Sequence, residues 1–327
     1  MGVAPDPIAA LTPAVFADAH RRVAPHVHQT PVLASSTLSR QTGYDVRLKA
    51  ELFQRTGSYK IRGPSNKLPQ LTPEQKRAGV ICSSAGNHAQ GVALAAAQLG
   101  IPAVVVMATN ATPAKIAATK AYGAEVVLHG QMWDEANAEA HRLAAERGLT
   151  MVHPFDDLEL IAGQGTVGLE ILEDVPEVDV VVVPIGGGGL ISGIAAAIRT
   201  REPRVRIIGV ESSGAPAMQR SLEQGSLVTL DEVRCSIDGL KVRRVGENTL
   251  ALVREYVEKV VTLEDEAIFD ALLWTLARCK LVVEGAAAAP VAALLHGLID
   301  AEPGETVVCV LSGGNVDLER LRGEVWN

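Results

Sequence analysis

The residue with the clearest chemical potential in this sequence is Lys60, which lies in the segment 58–63 (Ser-Tyr-Lys-Ile-Arg-Gly). A neutral lysine amine adds to carbonyl groups to form imines, so the amine must first lose its proton. Burial, or the nearby cation of Arg62, would lower the pKa of Lys60 in that direction. Most lysines are surface charges, and Lys60 gains meaning only from the segments that could surround it.

The glycine run at 186–189 indicates a site for an anionic group. It joins a predicted strand over 178–185 to a predicted helix over 190–200. Free N–H groups at a helix start favour phosphate, and glycine lets the backbone come close to it. The run matches neither common nucleotide fingerprint, yet Glu211 stands at about the spacing of a ribose-binding acid. A nucleotide site and a tight turn without ligand are therefore alternatives for this segment.

The segment 83–88 (Ser-Ser-Ala-Gly-Asn-His) precedes a predicted helix over 89–99 and could bind a second anion, such as a carboxylate. Asn87 could donate a hydrogen bond to a phenolate oxygen. It could equally serve as an ordinary helix N-cap. A structural or capping role suits His88 better than the role of a general base.

Ser312 follows a predicted strand, at the end of the strand where open α/β sheets bind ligands. Its hydroxyl could contact a pyridine nitrogen, although a plain Ser-Gly-Gly turn accounts better for this segment when it is taken alone. Together the four segments supply an amine, two anion sites and a hydroxyl for a ring nitrogen. That combination would hold pyridoxal phosphate as a Schiff base.

Composition argues against several other functions. The net charge of −8, an aromatic content of 3% and the lack of a basic run disfavour a nucleic-acid partner. The four cysteines show no C-x-x-C spacing, so neither a zinc site nor a redox pair is indicated. The arginines at 199–206 fit a solvated loop. The N-terminus lacks the pattern of a secretory signal, and no apolar stretch reaches about 18 residues, so we expect a cytoplasmic enzyme without a membrane span.

Helix and strand patterns alternate along most of the 327 residues. The predicted strands cover 102–107, 125–128, 151–153, 178–185, 206–211 and 306–311, and the predicted helices cover 89–99, 113–122, 133–147, 163–174, 190–200 and 264–280. This rhythm predicts an α/β fold of two lobes, each a mainly parallel sheet covered by helices. We predict a large domain of residues 1–74 and 153–327 and a small domain of residues 75–152, with the ligand site in the cleft between them.

Taken together, these segments resemble the serine/threonine dehydratase family, which includes serine racemases. It belongs to the tryptophan-synthase-β-like, or fold type II, pyridoxal-phosphate enzymes. The resemblance runs from about Thr30 to Asp317 and passes through the segments 161–166, 238–239 and 283–286. It implies pyridoxal 5'-phosphate as the cofactor of an enzyme of amino-acid metabolism.

The resemblance also implies a role for each segment. Lys60 would carry the cofactor and then take the substrate's α-proton, while Asn87 would contact the ring oxygen and Ser312 the ring nitrogen. Tyr59 stands where the family commonly has Phe. The implied cofactor-binding residues are Tyr59, Lys60, Asn87, Gly186, Gly187, Gly188, Gly189, Glu284 and Ser312. The implied substrate-binding residues are Ser83, Ser84, Ala85, Gly86, Asn87, His88 and Gly239.

The implied reaction is the α,β-elimination that converts L-threonine or L-serine to a 2-oxo acid and ammonia. Alternatives within the family are a dehydratase of 3-hydroxyaspartate, phenylserine or a similar amino acid, a serine racemase and a β-replacement synthase. A nucleotide-binding oxidoreductase or sensor is the alternative outside it. Racemisation needs a proton donor opposite Lys60, where the resembled racemases have serine and this chain has Ala85. We therefore predict dehydration without efficient racemisation.

Three further expectations concern partners and control. A family-type divalent cation site would use Glu211 and the carbonyl of Ala215, but its second acid position is Ala217, so binding should be weak or absent. The chain ends soon after 312–315, which leaves no room for a regulatory domain and predicts no feedback control by isoleucine. We expect a homodimer or homotetramer. Phe155 and Asp156 are candidates for the pocket wall, but the sequence does not select the preferred 3-hydroxy amino acid.

Overall fold

The structure is a computed structural model that describes residues 6–316, which form two β-sheets and the helices around them. Asp317, the last residue of the resemblance, and residues 1–5 of the N-terminus lie outside the described residues. The strands are β1 (Val32–Ala34), β2 (Asp45–Ala50), β3 (Val80–Ser83), β4 (Ala103–Met107), β5 (Glu125–Leu128), β6 (Thr150–Met151), β7 (Val180–Pro184), β8 (Arg206–Ser212), β9 (Lys259–Leu263) and β10 (Thr306–Leu311).

The α-helices of the described range vary from one turn to about five turns. They are α1 (Pro7–Ala10), α2 (Pro13–Val23), α3 (Ser36–Thr42), α4 (Arg62–Lys67), α5 (Pro73–Ala78), α6 (Asn87–Gln98), α7 (Pro113–Ala121), α8 (Trp133–Arg147), α9 (Leu158–Asp174), α10 (Gly189–Arg199), α11 (Ala217–Gln224), α12 (Glu247–Tyr256), α13 (Asp265–Cys279) and α14 (Gly285–Leu295). Short 3-10 turns include Glu51–Phe53, Arg55–Gly57 and Tyr59–Ile61.

The larger sheet has the strand order β1-β2-β10-β7-β8-β9. All its pairs are parallel except β1 with β2, which lies at the edge. Strand β10 has the sequence TVVCVL and is buried along its whole length, as expected for a strand covered by helices on both faces. Because β10 and β7 are parallel neighbours, Ser312 and the glycine run 186–189 leave the sheet at the same edge.

The smaller sheet has the order β5-β4-β3-β6, and all its pairs are parallel. Its strands lie between Val80 and Met151, inside the segment 75–152 that we predict as the small domain. The predicted architecture of parallel sheets covered by helices is confirmed. The exact domain boundaries stay a prediction.

Helix α9 packs very close to its neighbours because of its glycines. A Cβ at Gly163 would lie 2.6 Å from the carbonyl oxygen of Arg62, and a Cβ at Gly193 of α10 would overlap the carbonyl oxygen of Ile161. These close approaches account for the glycines of the segment 161–166, which is helical. They also fix α9 directly against α4, the helix that follows Lys60.

Several element boundaries differ from the prediction by one or two residues, and the start of α9 differs by five. Helix α9 begins at Leu158, five residues before the predicted start, because Asp157 caps it by accepting a hydrogen bond from the N–H of Leu160 (3.0 Å). The strand expected at 151–153 is instead β6, Thr150–Met151. Between residues 6 and 316, every helix is too short or too polar to span a membrane.

Candidate active site

The Lys60 segment and the Ser312 segment are joined by backbone hydrogen bonds. The N–H of Tyr59 donates to the carbonyl oxygen of Ser312 (3.1 Å), and Ser58 forms an isolated bridge with Gly313. The amine of Lys60 donates to the carbonyl oxygen of Pro154 (2.9 Å). Three segments that are far apart in sequence therefore meet around one amine.

Burial lowers the pKa of Lys60 to about 8, and the nearby carboxylate of Glu284 only partly opposes this shift. The amine is therefore more easily deprotonated than an ordinary lysine, which the chemistry predicted for it requires. The sequence suggests two causes for a lowered Lys60 pKa, burial and the charge of Arg62. Burial is the cause in the structure, because the charge of Arg62 is neutralised by other residues.

Arg62 is completely buried and is held by two carboxylates. Its guanidinium contacts Glu51 (2.7 Å) and Glu170 (2.6 Å), and Lys49 also binds Glu170 (2.8 Å). Both carboxylates receive two hydrogen bonds from Arg62, so its charge is neutralised within the core. Removing one member of such a group costs about 3–5 kcal/mol. The network fixes α4, and with it the backbone just after Lys60, to α9.

The glycine run packs so closely that side chains would not fit. A Cβ at Gly186 would overlap the carbonyl oxygen of Gly239, and a Cβ at Gly187 would overlap the ring of Phe155. Gly188 has a φ of +92° and is the N-cap of α10, and as a glycine it has no side chain to cap the helix. Thr249 donates its hydroxyl to the carbonyl oxygen of Gly187 (3.0 Å). This leaves backbone N–H groups at the start of an eleven-residue helix, an arrangement that suits phosphate.

Asn87 lies between two other predicted site segments. Its amide nitrogen is 2.9 Å from each carboxylate oxygen of Glu284, and its amide oxygen accepts a hydrogen bond from Asn315 (2.8 Å). Burial raises the pKa of Glu284 to about 7. Gly86, rather than Asn87, is the N-cap of α6. The side chain of Asn87 is thus not used to cap the helix, contrary to the simpler interpretation of this segment.

The start of α6 provides a second group of backbone donors. The hydroxyl of Ser84 accepts a hydrogen bond from the N–H of Gly86 (3.1 Å), and the buried hydroxyl of Ser83 has no partner among the described residues. Trp133 donates its indole N–H to the carbonyl oxygen of Ser83 (3.3 Å). Ala85 is partly exposed in this loop. The loop therefore suits a small anion, with a hydroxyl beside it.

His88 does not have the properties of a general base. Its Nε2 is 3.0 Å from the carbonyl oxygen of Val152, which can only accept, so Nε2 carries the proton. Burial, with a smaller effect of Lys60, lowers the pKa of His88 to about 3. The ring stays neutral at neutral pH, in agreement with the structural role expected for it.

The two candidates for the pocket wall have other roles. Asp156 accepts hydrogen bonds from the backbone N–H groups of Glu247, Asn248 and Thr249 (3.0–3.2 Å) and so caps α12. The ring of Phe155 packs against the glycine run. Asp156 is therefore a structural residue, and Phe155 supports the predicted phosphate site.

Glu211 is a buried helix cap. Its two oxygens accept from the N–H groups of Met218 (2.8 Å) and Gln219 (2.9 Å) at the start of α11, and burial raises its pKa to about 8. An acid used in this way is not presented to a ribose, which weakens the nucleotide alternative. Ala215 and Ala217 are buried beside it. Over residues 6–316, no cluster of three or more His, Cys, Asp or Glu side chains could hold a metal ion.

Three contacts of the site are absent from the sequence prediction. Thr249 binds the glycine run, Asn315 binds Asn87, and Lys115 forms an ion pair with Asp238. Asn315 and Asp238 belong to segments of the family resemblance, so the sequence indicates that they lie near the site. It does not indicate which residues they contact. Nothing in the local sequence of Thr249 or Lys115 indicates a site.

Comparison with known proteins shows that this chain is similar to enzymes. The family described as pyridoxal-phosphate dependent enzyme matches residues 23–313. An L-threonine ammonia-lyase of Thermotoga maritima is 47% identical over 304 residues, covering 93% of this chain and 75% of the relative. The catabolic L-threonine dehydratase TdcB of Staphylococcus aureus is 45% identical over 311 residues, covering 94% of this chain and 90% of the relative.

Solved structures show the same similarity. Maize serine racemase superimposes with a TM-score of 0.92 at 37% identity, covering 97% of both chains. The processed form of threonine deaminase isoform 2 from Solanum lycopersicum has a TM-score of 0.92 at 35% identity, covering 99% of this chain and 94% of that chain. The resemblance and the fold class predicted from the sequence are confirmed.

Proposed function

This chain belongs to the family of pyridoxal-phosphate dependent enzymes, and on that premise we propose that it is a lyase that eliminates water from L-threonine, L-serine or both and then releases ammonia by hydrolysis. The products would be a 2-oxo acid and ammonia. The names of the relatives support this reaction, because those at 45–47% identity are a threonine dehydratase and a threonine ammonia-lyase. The buried Lys60 amine, with its pKa lowered to about 8, is the observation that carries the proposal.

The residues around Lys60 suit this cofactor in size and chemistry. The glycine run 186–189 leads into α10, whose free backbone N–H groups at its start suit a phosphate, and Asn87 offers an N–H donor. We propose that Ser312 meets the ring nitrogen and that Tyr59 and Glu284 line the same site. A serine hydroxyl is neutral, so it would leave the ring nitrogen largely unprotonated.

When bound, the cofactor supplies an aldehyde and a conjugated ring that delocalises the electron pair left on the α-carbon. The protein's part begins with Lys60, whose neutral amine takes the α-proton of the substrate. The Cα–H electrons form the Cα–Cβ double bond, and the β-hydroxyl takes up the proton that Lys60 has removed and leaves as water. Lys60 donates to the Pro154 carbonyl, and this contact keeps the amine oriented. The dehydrated amino acid is then hydrolysed to the 2-oxo acid and ammonia.

We propose that the loop 83–88 binds the substrate carboxylate. The N-terminus of α6, which has no side-chain cap, and the unpartnered hydroxyl of Ser83 provide donors for it within the described residues. Gly239 lies against Gly186, so its backbone belongs to the same wall of the cleft. Binding of the carboxylate here would place the α-carbon of the substrate between this loop and Lys60.

A serine racemase is the second candidate, and solved relatives from maize and Dictyostelium discoideum bear that name. Ala85 argues against it, because a methyl group cannot give a proton to the face opposite Lys60. The Ser84 hydroxyl is engaged with the N–H of Gly86 within its own loop (3.1 Å). A reaction in deuterated water that gives α-exchange with inversion would favour the racemase instead.

Two further parts of the proposal concern the location and oligomeric state of the enzyme and its binding of a divalent cation. We propose a cytoplasmic homodimer or homotetramer, which light scattering of the purified protein would distinguish from a monomer. Binding of a divalent cation, weak at most because Ala217 replaces an acid, stays a prediction that calorimetric titration with Mg²⁺ would test.

The proposed function is tested by locating the covalent link and the substrate. Purified protein mixed with pyridoxal phosphate should absorb near ~410–420 nm, the band of a lysine imine. Borohydride reduction followed by peptide mass spectrometry should find the label on Lys60. Lys60→Ala should lose the band, whereas Lys67→Ala, which removes another partly buried lysine, should keep it.

Ammonia release over a panel of 3-hydroxy amino acids then identifies the substrate. We expect L-threonine or L-serine to give the highest kcat/KM. A label on another lysine, or a band without ammonia release from any member of the panel, would contradict the proposed function.

A further inference from the structure

We propose that Asn315 is a positioning residue that sets the direction of the Asn87 amide, so that its nitrogen rather than its oxygen is presented to the cofactor. This role deepens the proposed function and rests on it only for what the amide binds. Asn315 itself would touch neither cofactor nor substrate. Its effect would pass entirely through Asn87.

The orientation of the Asn315 amide is fixed by a backbone carbonyl group. The amide nitrogen of Asn315 is 2.7 Å from the carbonyl oxygen of Thr56, a group that can only accept hydrogen bonds. The Asn315 amide therefore cannot be reversed without placing two oxygens against each other. Thr56 has a φ of +63° and Gly57 a φ of +72°, and the Asn315 amide oxygen packs against Gly57 where a Cβ would otherwise lie. The close approach keeps this amide in place.

The same nitrogen also fixes the orientation of the Asn87 amide. It is 2.8 Å from the amide oxygen of Asn87, so that oxygen must face Asn315. The amide nitrogen of Asn87 must then face the opposite way. There it meets the carboxylate of Glu284, 2.9 Å from both oxygens. In its ionised form, above the Glu284 pKa of about 7, this carboxylate can only accept, so the two ends of the chain of hydrogen bonds then agree on one orientation.

The orientation leaves one hydrogen of the Asn87 amide for a ligand. Because the Asn87 nitrogen is equidistant from both oxygens of Glu284, a single N–H can serve the pair. An amide nitrogen has two hydrogens, and the second remains available. If the Asn87 amide were reversed, an oxygen would face Glu284 and no donor would be offered. An anionic ring oxygen would then be repelled rather than bound.

Backbone hydrogen bonds hold Glu284 and the turn before Asn315 in place. The N–H of Glu284 donates to the carbonyl oxygen of Gly313 (3.0 Å), and the N–H of Gly314 donates to the carbonyl oxygen of Gly57 (2.9 Å). Glu284 and the turn before Asn315 are therefore held at fixed separation. Asn87, the residue between them, is the first residue of α6 and has its amide oriented by both.

The test is a double-mutant cycle between Asn315 and Asn87 in the full chain. Asn315→Asp keeps the shape but removes the donor, and Asn87→Ala removes the group that is positioned. Asn110→Asp is the matched control, since Asn110 also donates its amide to a backbone carbonyl (Gln131, 3.2 Å) but is exposed. Two quantities are measured, the Kd for pyridoxal phosphate and the denaturant midpoint of the cofactor-free chain.

Asn315→Asp should weaken pyridoxal phosphate binding about tenfold, the effect of losing a hydrogen bond to a partly buried acceptor. In the Asn87→Ala background the same change should shift the Kd less than about twofold, because nothing remains to be oriented. Asn110→Asp should leave the Kd unchanged. The unfolding midpoint should show the same coupling without cofactor.

Equal weakening by Asn315→Asp with and without Asn87 would overturn the proposal, as would an unchanged Kd in the otherwise native chain. Asn315→Ala replaces Asn315→Asp in the cycle if the charged variant does not fold. If the native chain binds no pyridoxal phosphate, the proposed function fails. The coupling of residues 315 and 87 in the unfolding midpoint still decides whether the orienting contact exists.

Discussion

The amine of Lys115 lies 3.0 Å from a carboxylate oxygen of Asp238, a residue 123 positions further along the chain. Lys115 belongs to α7 beside the small sheet, and Asp238 immediately precedes Gly239, whose carbonyl oxygen packs against Gly186. The pair therefore joins helix α7 to the wall of the proposed cofactor site. Both side chains reach solvent, so the contact can open and close reversibly.

The first prediction is that Lys115 and Asp238 help to close the cleft on the substrate. Lys115→Glu or Asp238→Lys should lower kcat/KM for threonine by up to about fivefold at low salt, because exposed ion pairs contribute about 0.2–1 kcal/mol. The double reversal should restore most of the loss. High salt should remove the difference among all four proteins.

The matched control is Lys259→Glu, since Lys259 pairs with Asp300 at similar exposure but outside the site. It should leave kcat/KM unchanged. Failure of the double reversal to recover activity would show that the two residues act separately.

The second prediction concerns pH. Because burial lowers the pKa of Lys60 to about 8, most of the amine is protonated at pH 6 and most is neutral at pH 9. The rate at which the cofactor-free chain captures pyridoxal phosphate should rise up to about tenfold per pH unit below 8 and become level above it. Stopped-flow absorbance of the imine band measures this rate. A rise that continues to pH 10 would mean that the amine has an ordinary lysine pKa.

The third prediction is that Gly187→Ala weakens cofactor binding. A Cβ at this position would overlap the ring of Phe155, so the glycine run must move away from its place at the start of α10. Small-to-large changes in packed regions cost about 1–3 kcal/mol, equivalent to at least a fivefold rise in the Kd. Equilibrium titration with pyridoxal phosphate measures the loss.

Phe155→Ala provides the control for Gly187→Ala. The smaller side chain makes room for the added methyl group, so the double variant should recover part of the affinity. No recovery would indicate that the methyl group obstructs the phosphate itself rather than the packing behind it.

The fourth prediction is that Ala85→Ser introduces racemisation. The new hydroxyl would stand on the loop opposite Lys60, and a positioned proton donor contributes about 10²–10⁴-fold to a rate. We expect chiral chromatography after reaction of L-serine in deuterated water to show at least about a tenfold gain in D-serine. Ser226→Ala, which removes an exposed hydroxyl outside the site, should leave the basal racemisation unchanged. A loss in Ser84→Ala would identify Ser84 as the donor instead.

The secondary structure can be predicted where one periodicity dominates. The sequence predicts strand β10 at its observed bounds, because a continuous apolar run that ends at Ser-Gly-Gly is typical of a buried strand. The predicted start of α9 is too late, because the helix begins at Leu158, where Asp157 caps it by accepting a hydrogen bond from the N–H of Leu160. Strand β9 is absent from the prediction because it is short and mostly only partly buried.

The chemical groups of the site can be identified from the sequence: an amine at Lys60, a glycine run that admits an anion, and Ser312 at the end of a buried strand. Local sequence is sufficient for that, because these groups owe their function to their type and to their place on a strand or helix. How the groups are tuned depends on the tertiary structure. Arg62 is neutralised by Glu51 and Glu170 rather than acting on Lys60, because ion pairs depend on distances across the core that neighbouring residues in sequence do not set.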